Sequence, residues 1–173
     1  LAFFGTITVL PLYMQHALGI SPLETGLAVL PGSLVMGLAG PLIGRIYDAR
    51  GTRVLLVPGA VIAVGSLWYF TTFDAHTPLA IIVVAQTVLS LGLALSFTPL
   101  FTASLASLEP KFYSYGSAIL GTVQQVAGAA GIAVMITVMS AVSASTSGVP
   151  EAAAEAAGAH AAFLLAAIVA VPL

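Results

Sequence analysis

The chain contains six apolar runs of about twenty residues, each separated from the next by a short polar interval. A helix rises about 1.5 Å per residue, so about twenty residues cross the roughly 30 Å hydrocarbon core of a bilayer. Helices satisfy all of their backbone hydrogen bonds in that environment. The sequence therefore predicts an all-α integral membrane protein with six transmembrane helices in one bundle. The predicted spans cover residues about 1–18, 22–45, 54–73, 78–104, 116–142 and 159–173.

Composition excludes a soluble fold of this size. Hydrophobic residues make up 60% of the 173 residues and charged residues 6%, whereas about a quarter of a soluble domain is charged. The formal net charge of −2 provides no basic surface for nucleic acid, so we expect no nucleic-acid partner. Because the sequence has no cysteine, disulfide frameworks and thiolate chemistry are excluded as well.

Both ends of the chain lie inside apolar runs. Residues 1–4 begin without an initiator Met, and residues 168–173 end within the last run. The leading run lacks the basic region and cleavage site of a signal peptide, so it is predicted to be a span. The Ala-rich stretch with Glu151 and Glu155 is expected to be a connector, either a short external helix or disordered. We therefore expect residues 1–173 to be one transmembrane domain of a longer protein, with the last helix truncated.

The four Lys and Arg residues fall in only two of the intervals between spans. They are Arg45, Arg50, Arg53 and Lys111. Positively charged loop residues stay on the cytoplasmic side during insertion. Loops 46–53 and 105–115 are therefore predicted to be cytoplasmic in a multi-pass protein of the cell membrane, most simply a bacterial plasma membrane. The opposite loops carry acidic residues and no Lys or Arg, so six spans give a consistent topology.

Residues 44–53 form a polar connector between the second and third spans. Gly44 is expected to let a neighbouring helix approach closely, and Gly51 to supply the positive φ of a short turn. Asp48 can accept hydrogen bonds from an arginine or a helix N-terminus, which would make the connector a latch. The helix dipole disfavours a cation at Arg53, so a carboxylate or an anionic lipid head group is expected beside it. The alternative is that the arginines only set the orientation.

This connector resembles the cytoplasmic loop of the major facilitator superfamily, whose pattern is G-x-x-x-D-R-x-G-x-R. The residues that match are Gly44, Asp48, Gly51 and Arg53. Ala49 stands where the family usually has Arg, and Arg50 follows one place later, which puts the usual charge relay in question. The candidate motif residues are Gly44, Arg45, Asp48, Arg50, Gly51 and Arg53.

Two further segments resemble the fourteen-span drug:proton antiporter subfamily of that superfamily. They are residues 30–32 leading to 40–44, and residues 116–120 running into the small-residue stretch 124–133. The resemblance covers nearly the whole chain and implies the carboxy-terminal six-helix half of such a transporter, partnered by its amino-terminal half. It implies proton-coupled export of drug-like or other small lipophilic molecules by alternating access. The coupling carboxylate would lie in the amino-terminal half.

Five polar side chains inside the spans are candidates for lining a substrate cavity. They are Gln86 and Ser90 on the fourth span and Thr122, Gln124 and Gln125 on the fifth. Adjacent residues of a helix point about 100° apart, so Gln124 and Gln125 cannot both face the cavity. The alternative for each is a hydrogen bond between packed helices. Phe97, Phe101 and Tyr113 are interpreted as packing or interface residues.

Other functional classes have less support. His16, His76 and His160 are predicted at outer helix ends without the spacing of a ligand cluster, so no metal and no cofactor is predicted. No serine–histidine pair is expected inside the bundle, so the chain is not expected to be an enzyme. No segment resembles a channel filter. A membrane scaffold or assembly subunit without transport activity is the alternative that the sequence leaves open.

Overall fold

A computed structural model describes residues 2–74, 76–146, 148 and 150–171. These residues form six α-helices and one turn of 3₁₀ helix. The helices are α1 (Ala2–His16), α2 (Pro22–Arg50), α3 (Arg53–Phe70), α4 (Leu79–Ala106), α5 (Tyr113–Ser145) and α6 (Glu151–Ala170), and the 3₁₀ turn is Pro110–Phe112. The described part of the chain contains no strand, and the predicted all-α fold is confirmed.

The helix bounds differ from the predicted spans in several places. α2 continues past the predicted end at residue 45 and runs through Arg50. α6 begins at Glu151 rather than at 159, because the Ala-rich stretch is made of the strongest helix-forming residue. The prediction that this stretch is a separate connector is wrong. Among the described residues, α2 to α6 are long and apolar enough to cross a membrane, whereas α1 has 15 residues.

A capping box starts α2. The Glu24 N–H donates to the Ser21 hydroxyl oxygen at 3.3 Å, and the Ser21 N–H donates to the Glu24 carboxylate at 3.1 Å. Pro22 occupies the first turn. Backbone N–H groups there have no intrahelical acceptor, so the missing N–H of proline costs no hydrogen bond. The Glu24 carboxylate thus lies at the positive end of the helix dipole.

The helices pack in a pattern that repeats after three elements. α1 packs against α5 and α6, α4 packs against α2 and α3, and α3 touches α6. Exchanging α1 with α4, α2 with α5 and α3 with α6 leaves the set of packed pairs unchanged. This set of contacts is the one expected of a bundle built from two three-helix repeats.

Aromatic side chains close one end of the bundle. Tyr13, Phe70 and Phe163 are fully buried, and the rings of Tyr13 and Phe163 meet edge to face with centroids 6.0 Å apart. Phe73 packs against all three, and the Tyr13 hydroxyl donates a hydrogen bond to the carbonyl of Asp74. Because α1 ends here, its first residues lie toward the opposite end of the bundle.

α2 and α5 bury few of their residues. The buried ones are Thr25, Ala28, Gly32 and Ile43 on α2 and Gly128, Gly131, Met135 and Met139 on α5. Large apolar side chains on the remaining faces are open, with Leu38 77% and Val126 66% exposed. In a bilayer, such faces are available to lipid or to further protein.

Candidate functional site

The connector between α2 and α3 consists of Gly51 and Thr52 alone. The prediction that residues 46–50 belong to a loop is wrong, because they form the last turn of α2. Gly51 has φ +77° and ψ −177°, a combination that is essentially confined to glycine. Its N–H donates to the Tyr47 carbonyl at 2.8 Å. The predicted positive φ at Gly51 is confirmed, and it lets α2 turn directly into α3.

No helix in the described part of the chain approaches Gly44 closely. A Cβ atom built on Gly44 would meet no described atom within 4 Å, so the close approach predicted there is not made by these helices. The helices come together elsewhere, at Gly59 of α3 and Gly92 of α4.

The charged side chains of the motif are open to their surroundings. Arg45, Asp48, Arg50 and Arg53 are all exposed. Within the described ranges, the ion pairs are His16 with Glu155 and Lys111 with Glu109. Asp48 therefore pairs with none of the three arginines in this part of the chain, and the latch predicted for it is not closed in this structure.

The second interval predicted to be cytoplasmic is also shorter than expected. α4 ends at Ala106 and α5 begins at Tyr113, so helix occupies both ends of the predicted loop 105–115. Between them, the Lys111 ammonium lies 2.6 Å from the Glu109 carboxylate and 4.9 Å from the centroid of the Phe112 ring. Both members of the ion pair are exposed, so it adds little stability.

Gln86 and Ser90 lie in the seam between α2 and α4. Both are buried. A Cβ atom on Gly32 would come within 2.6 Å of the Ser90 hydroxyl oxygen and 3.4 Å of the main-chain carbonyl oxygen of Gln86. The side-chain oxygen of Gln86 accepts no hydrogen bond from any described group. The structure thus places Gln86 and Ser90 in the packing between α2 and α4. Neither of them lines the cavity beside Gln124.

The three candidates on α5 point in different directions. Thr122 is exposed, and its hydroxyl donates to the Ala118 carbonyl at 2.8 Å. Gln125 is exposed as well, whereas Gln124 is half-buried and lines a cavity. The expectation that Gln124 and Gln125 face different ways is confirmed.

The cavity beside Gln124, here called the front cavity, has a volume of about 380 Å³. It lies among α1, α2, α4 and α5. Its lining consists of Phe3, Phe4, Ile7, Met36, Leu93, Phe97, Thr98, Phe101 and Gln124. The wall is aromatic and aliphatic, and the Gln124 amide and the Thr98 hydroxyl are its polar side-chain groups. This arrangement can bury an apolar molecule and orient it by a hydrogen bond to the amide.

A second cavity, here called the rear cavity, has a volume of about 550 Å³. Its lining consists of Ala2, Phe3, Leu56, Ala60, Ser96, Phe97, Leu100, Ala127, Val169 and Ala170. The Ser96 hydroxyl donates to the Gly92 carbonyl at 2.9 Å, so its one O–H donor is already engaged. The rear cavity is therefore almost entirely apolar.

The aromatic lining residues were missed by sequence reasoning, which interpreted Phe97 and Phe101 as packing. A signal was present, because Leu93, Phe97 and Phe101 recur every four residues and so share one face of α4. A stripe of this kind is equally typical of helix packing, and the sequence does not show which face meets a cavity.

The three histidines lie at the closed end of the bundle. The His16 ring is 4.0 Å from the Glu155 carboxylate, which joins α1 to α6. Asp74, His76 and His160 line a cavity of about 320 Å³. His160 lies within α6 rather than at its end, so its predicted place is wrong. Among the described residues, no group of three His, Cys, Asp or Glu side chains is arranged to hold a metal ion.

Long apolar helices, a repeated three-helix pattern and a cleft among four helices define a polytopic membrane bundle of the kind found in secondary transporters. The sequence profile of the Major Facilitator Superfamily matches residues 1–173. The chain belongs to this superfamily, which confirms the predicted family. It is a multi-pass bacterial membrane protein.

Several relatives carry names that refer to drug resistance. The chain is 42% identical to the lincomycin resistance protein LmrB of Listeria monocytogenes over 79% of its own length and 29% of the relative's. It is 41% identical to the uncharacterized MFS-type transporter YcnB of Bacillus subtilis over 96% and 35% of the two lengths. A multidrug resistance protein B homolog of Mycobacterium tuberculosis is 31% identical over 78% and 25%. The chain thus spans about a third or less of the length of these relatives.

Proposed function

We propose that this chain supplies one helix bundle of an exporter that moves drug-like or other small lipophilic molecules by alternating access. The relatives named for lincomycin and multidrug resistance support this proposal. The superfamily consists of transporters, and transport rather than catalysis is the activity proposed here. The amino-terminal part of the full-length protein would be the partner of the bundle.

The front cavity is the observation that carries the proposal. None of its lining residues is charged, and four of them are phenylalanines. Burial of apolar area against such a wall favours lipophilic cargo without requiring a particular shape. The faces of the aromatic rings also attract organic cations. One amide, that of Gln124, is placed to orient the cargo.

We further propose that export is coupled to protons and that the coupling carboxylate lies in the amino-terminal part of the full-length protein. The acidic residues of this chain stand near helix ends or in connectors, as at Glu24, Asp74 and Glu109. None of them lines the front cavity. A carboxylate that exchanges protons with cargo would therefore have to face this bundle from another segment.

The motif residues between α2 and α3 are proposed to change their contacts on the cytoplasmic side during the transport cycle. Three exposed arginines and Asp48 surround a two-residue turn, and Asp48 is free in the described part of the chain to pair when the helices move. We propose that Asp48 engages an arginine or a helix N-terminus in another state of the cycle. The exposed arginines can also bind anionic lipid head groups.

The test is export of a lipophilic cationic dye, measured as dye accumulation inside inverted vesicles that contain the full-length protein and have an acidified lumen to supply the pH gradient. Gln124→Leu should slow efflux, because it removes the orienting amide from the front cavity. Gln125→Leu is the matched control, since it makes the same change one residue away on an exposed face. Asp48→Asn tests the motif in the same assay.

Gradient-dependent efflux that falls in Gln124→Leu but not in Gln125→Leu would support the proposal. Equal efflux in all variants would remove the cavity from the mechanism. If correctly inserted protein moves no dye from a panel of lipophilic cations and neutral drugs, the membrane-scaffold alternative would replace transport.

A further inference from the structure

The front and rear cavities share a wall made by two aromatic side chains. Phe3 on α1 and Phe97 on α4 line both cavities. Their rings meet edge to face, with centroids 6.1 Å apart and an interplanar angle of 70°. Both rings thus stand where the two cavities adjoin.

The two spaces offer different chemistry. The front cavity presents the Gln124 amide beside aromatic rings, whereas the rear cavity is bounded by small and aliphatic side chains such as Ala60, Ala127 and Leu100. A molecule that reached through both would place a hydrogen-bonding group in front and an apolar extension behind.

The wall is suited to yield. Phe3 and Phe97 are half-buried at the edge of the hydrophobic core, and the edge-to-face contact between them is weak enough for an apolar substituent to replace. Neither ring carries a polar group that would be left unpaired when it rotates. Rotation of Phe97 about χ1 between staggered rotamers therefore leaves no buried polar group unsatisfied.

We propose that Phe3 and Phe97 form a divider that sets the length of cargo which the bundle accepts. Short cargo occupies the front cavity with the divider closed. Amphiphilic cargo with an alkyl or aryl tail displaces the Phe97 ring and extends the tail into the rear cavity. This inference rests on the proposed export function and specifies the class of its cargo.

The experiment uses two dyes with the same cationic fluorescent head group, one a methyl ester and the other an octyl ester. Binding to purified full-length protein is measured by fluorescence polarisation. Phe97→Ala removes the divider and should raise octyl-ester affinity relative to methyl-ester affinity by about tenfold, because both dyes lose the same ring contact in the front cavity and only the octyl chain gains access to the rear cavity. Phe101→Ala is the matched control, because Phe101 lines the front cavity alone and its loss should affect both dyes alike.

Two further variants fill the rear cavity. Ala60→Leu and Ala127→Leu place branched side chains in it from α3 and α5 and should weaken the octyl ester while leaving the methyl ester unchanged. These two variants also test the divider if the Phe97→Ala protein does not insert into the membrane.

An equal response of both dyes to the rear-cavity variants would overturn the divider while leaving the export proposal intact. If the wild-type protein neither binds nor exports either dye, both proposals fail together. The two failures are therefore distinguishable.

Discussion

Gly59 on α3 and Gly92 on α4 bring two helix backbones into contact, since a Cβ atom built on either would lie 3.0 Å from the carbonyl oxygen of the other. The Cβ atom on Gly92 would also lie 2.8 Å from the main-chain nitrogen of Ala63. These neighbours are backbone atoms and cannot rotate away. The close packing of α3 on α4 thus depends on the absence of side chains at both positions.

Gly92→Ala should separate the two helices and lower the free energy of unfolding by about 1–3 kcal/mol. The measurement is the thermal unfolding midpoint of the full-length protein in detergent. Gly65→Ala in α3 is the control, because a Cβ atom there meets nothing within 4 Å. Equal midpoints for the two variants would show that the helix contact tolerates a methyl group.

Gln86→Met should leave the thermal stability unchanged or raise it. The Gln86 side-chain oxygen is buried without a hydrogen-bond donor in the described part of the chain, and an unpaired buried acceptor costs about 1–3 kcal/mol. Methionine fills a similar volume without that acceptor. A marked loss of stability would mean that Gln86 makes a hydrogen bond essential to the fold. Dye efflux should also be unaffected, in contrast to Gln124→Leu.

Gly51→Ala should destabilise the turn between α2 and α3 by about 1–3 kcal/mol, because its backbone conformation is open to little but glycine. Gly51→Asn should not rescue the loss, since asparagine favours the left-handed helical region and the ψ of −177° lies outside it. Gly44→Ala provides the comparison within the same motif, with no neighbour to displace. Thermal unfolding of the full-length protein distinguishes the three, and full stability of Gly51→Asn would contradict the assigned conformation.

The sequence predicted the helical fold well because the bilayer imposes a simple length and polarity requirement on each span. It failed at the ends of α2 and α6, where polar and charged residues continue as helix. Arg50 is charged yet helical, and residues 151–158 are Ala-rich with two glutamates. Charged residues at a helix end lower the hydropathy of that segment, so hydropathy alone placed both boundaries inside the helices.

The candidate site was only partly predictable, since polarity does not reveal which way a residue faces. Gln86 and Gln124 have the same side chain in similar apolar helices, yet one is buried between α2 and α4 and the other lines the front cavity. The rings of Phe3 and Phe97 meet across 94 positions of sequence, a contact that no local pattern indicates. Gly51 was predictable because its role depends on backbone geometry within one turn.

Ser21→Ala should weaken the start of α2 by about 0.5–2 kcal/mol. The Ser21 hydroxyl accepts from the Glu24 N–H at 3.3 Å and donates to the Glu24 carboxylate at 2.8 Å, so the substitution removes one backbone bond of the capping box and the bond between the two side chains. Ser33→Ala is the matched control, because among the described groups the Ser33 hydroxyl bonds only to the Val29 carbonyl within the same helix. Unfolding midpoints of Ser21→Ala, Glu24→Ala and the double variant measure the coupling of the two residues. Because the hydroxyl–carboxylate bond is lost in either single variant, the double variant should lose less than the sum of the single losses. Strict additivity would mean that this shared bond contributes no stability and that the two side chains cap the helix independently.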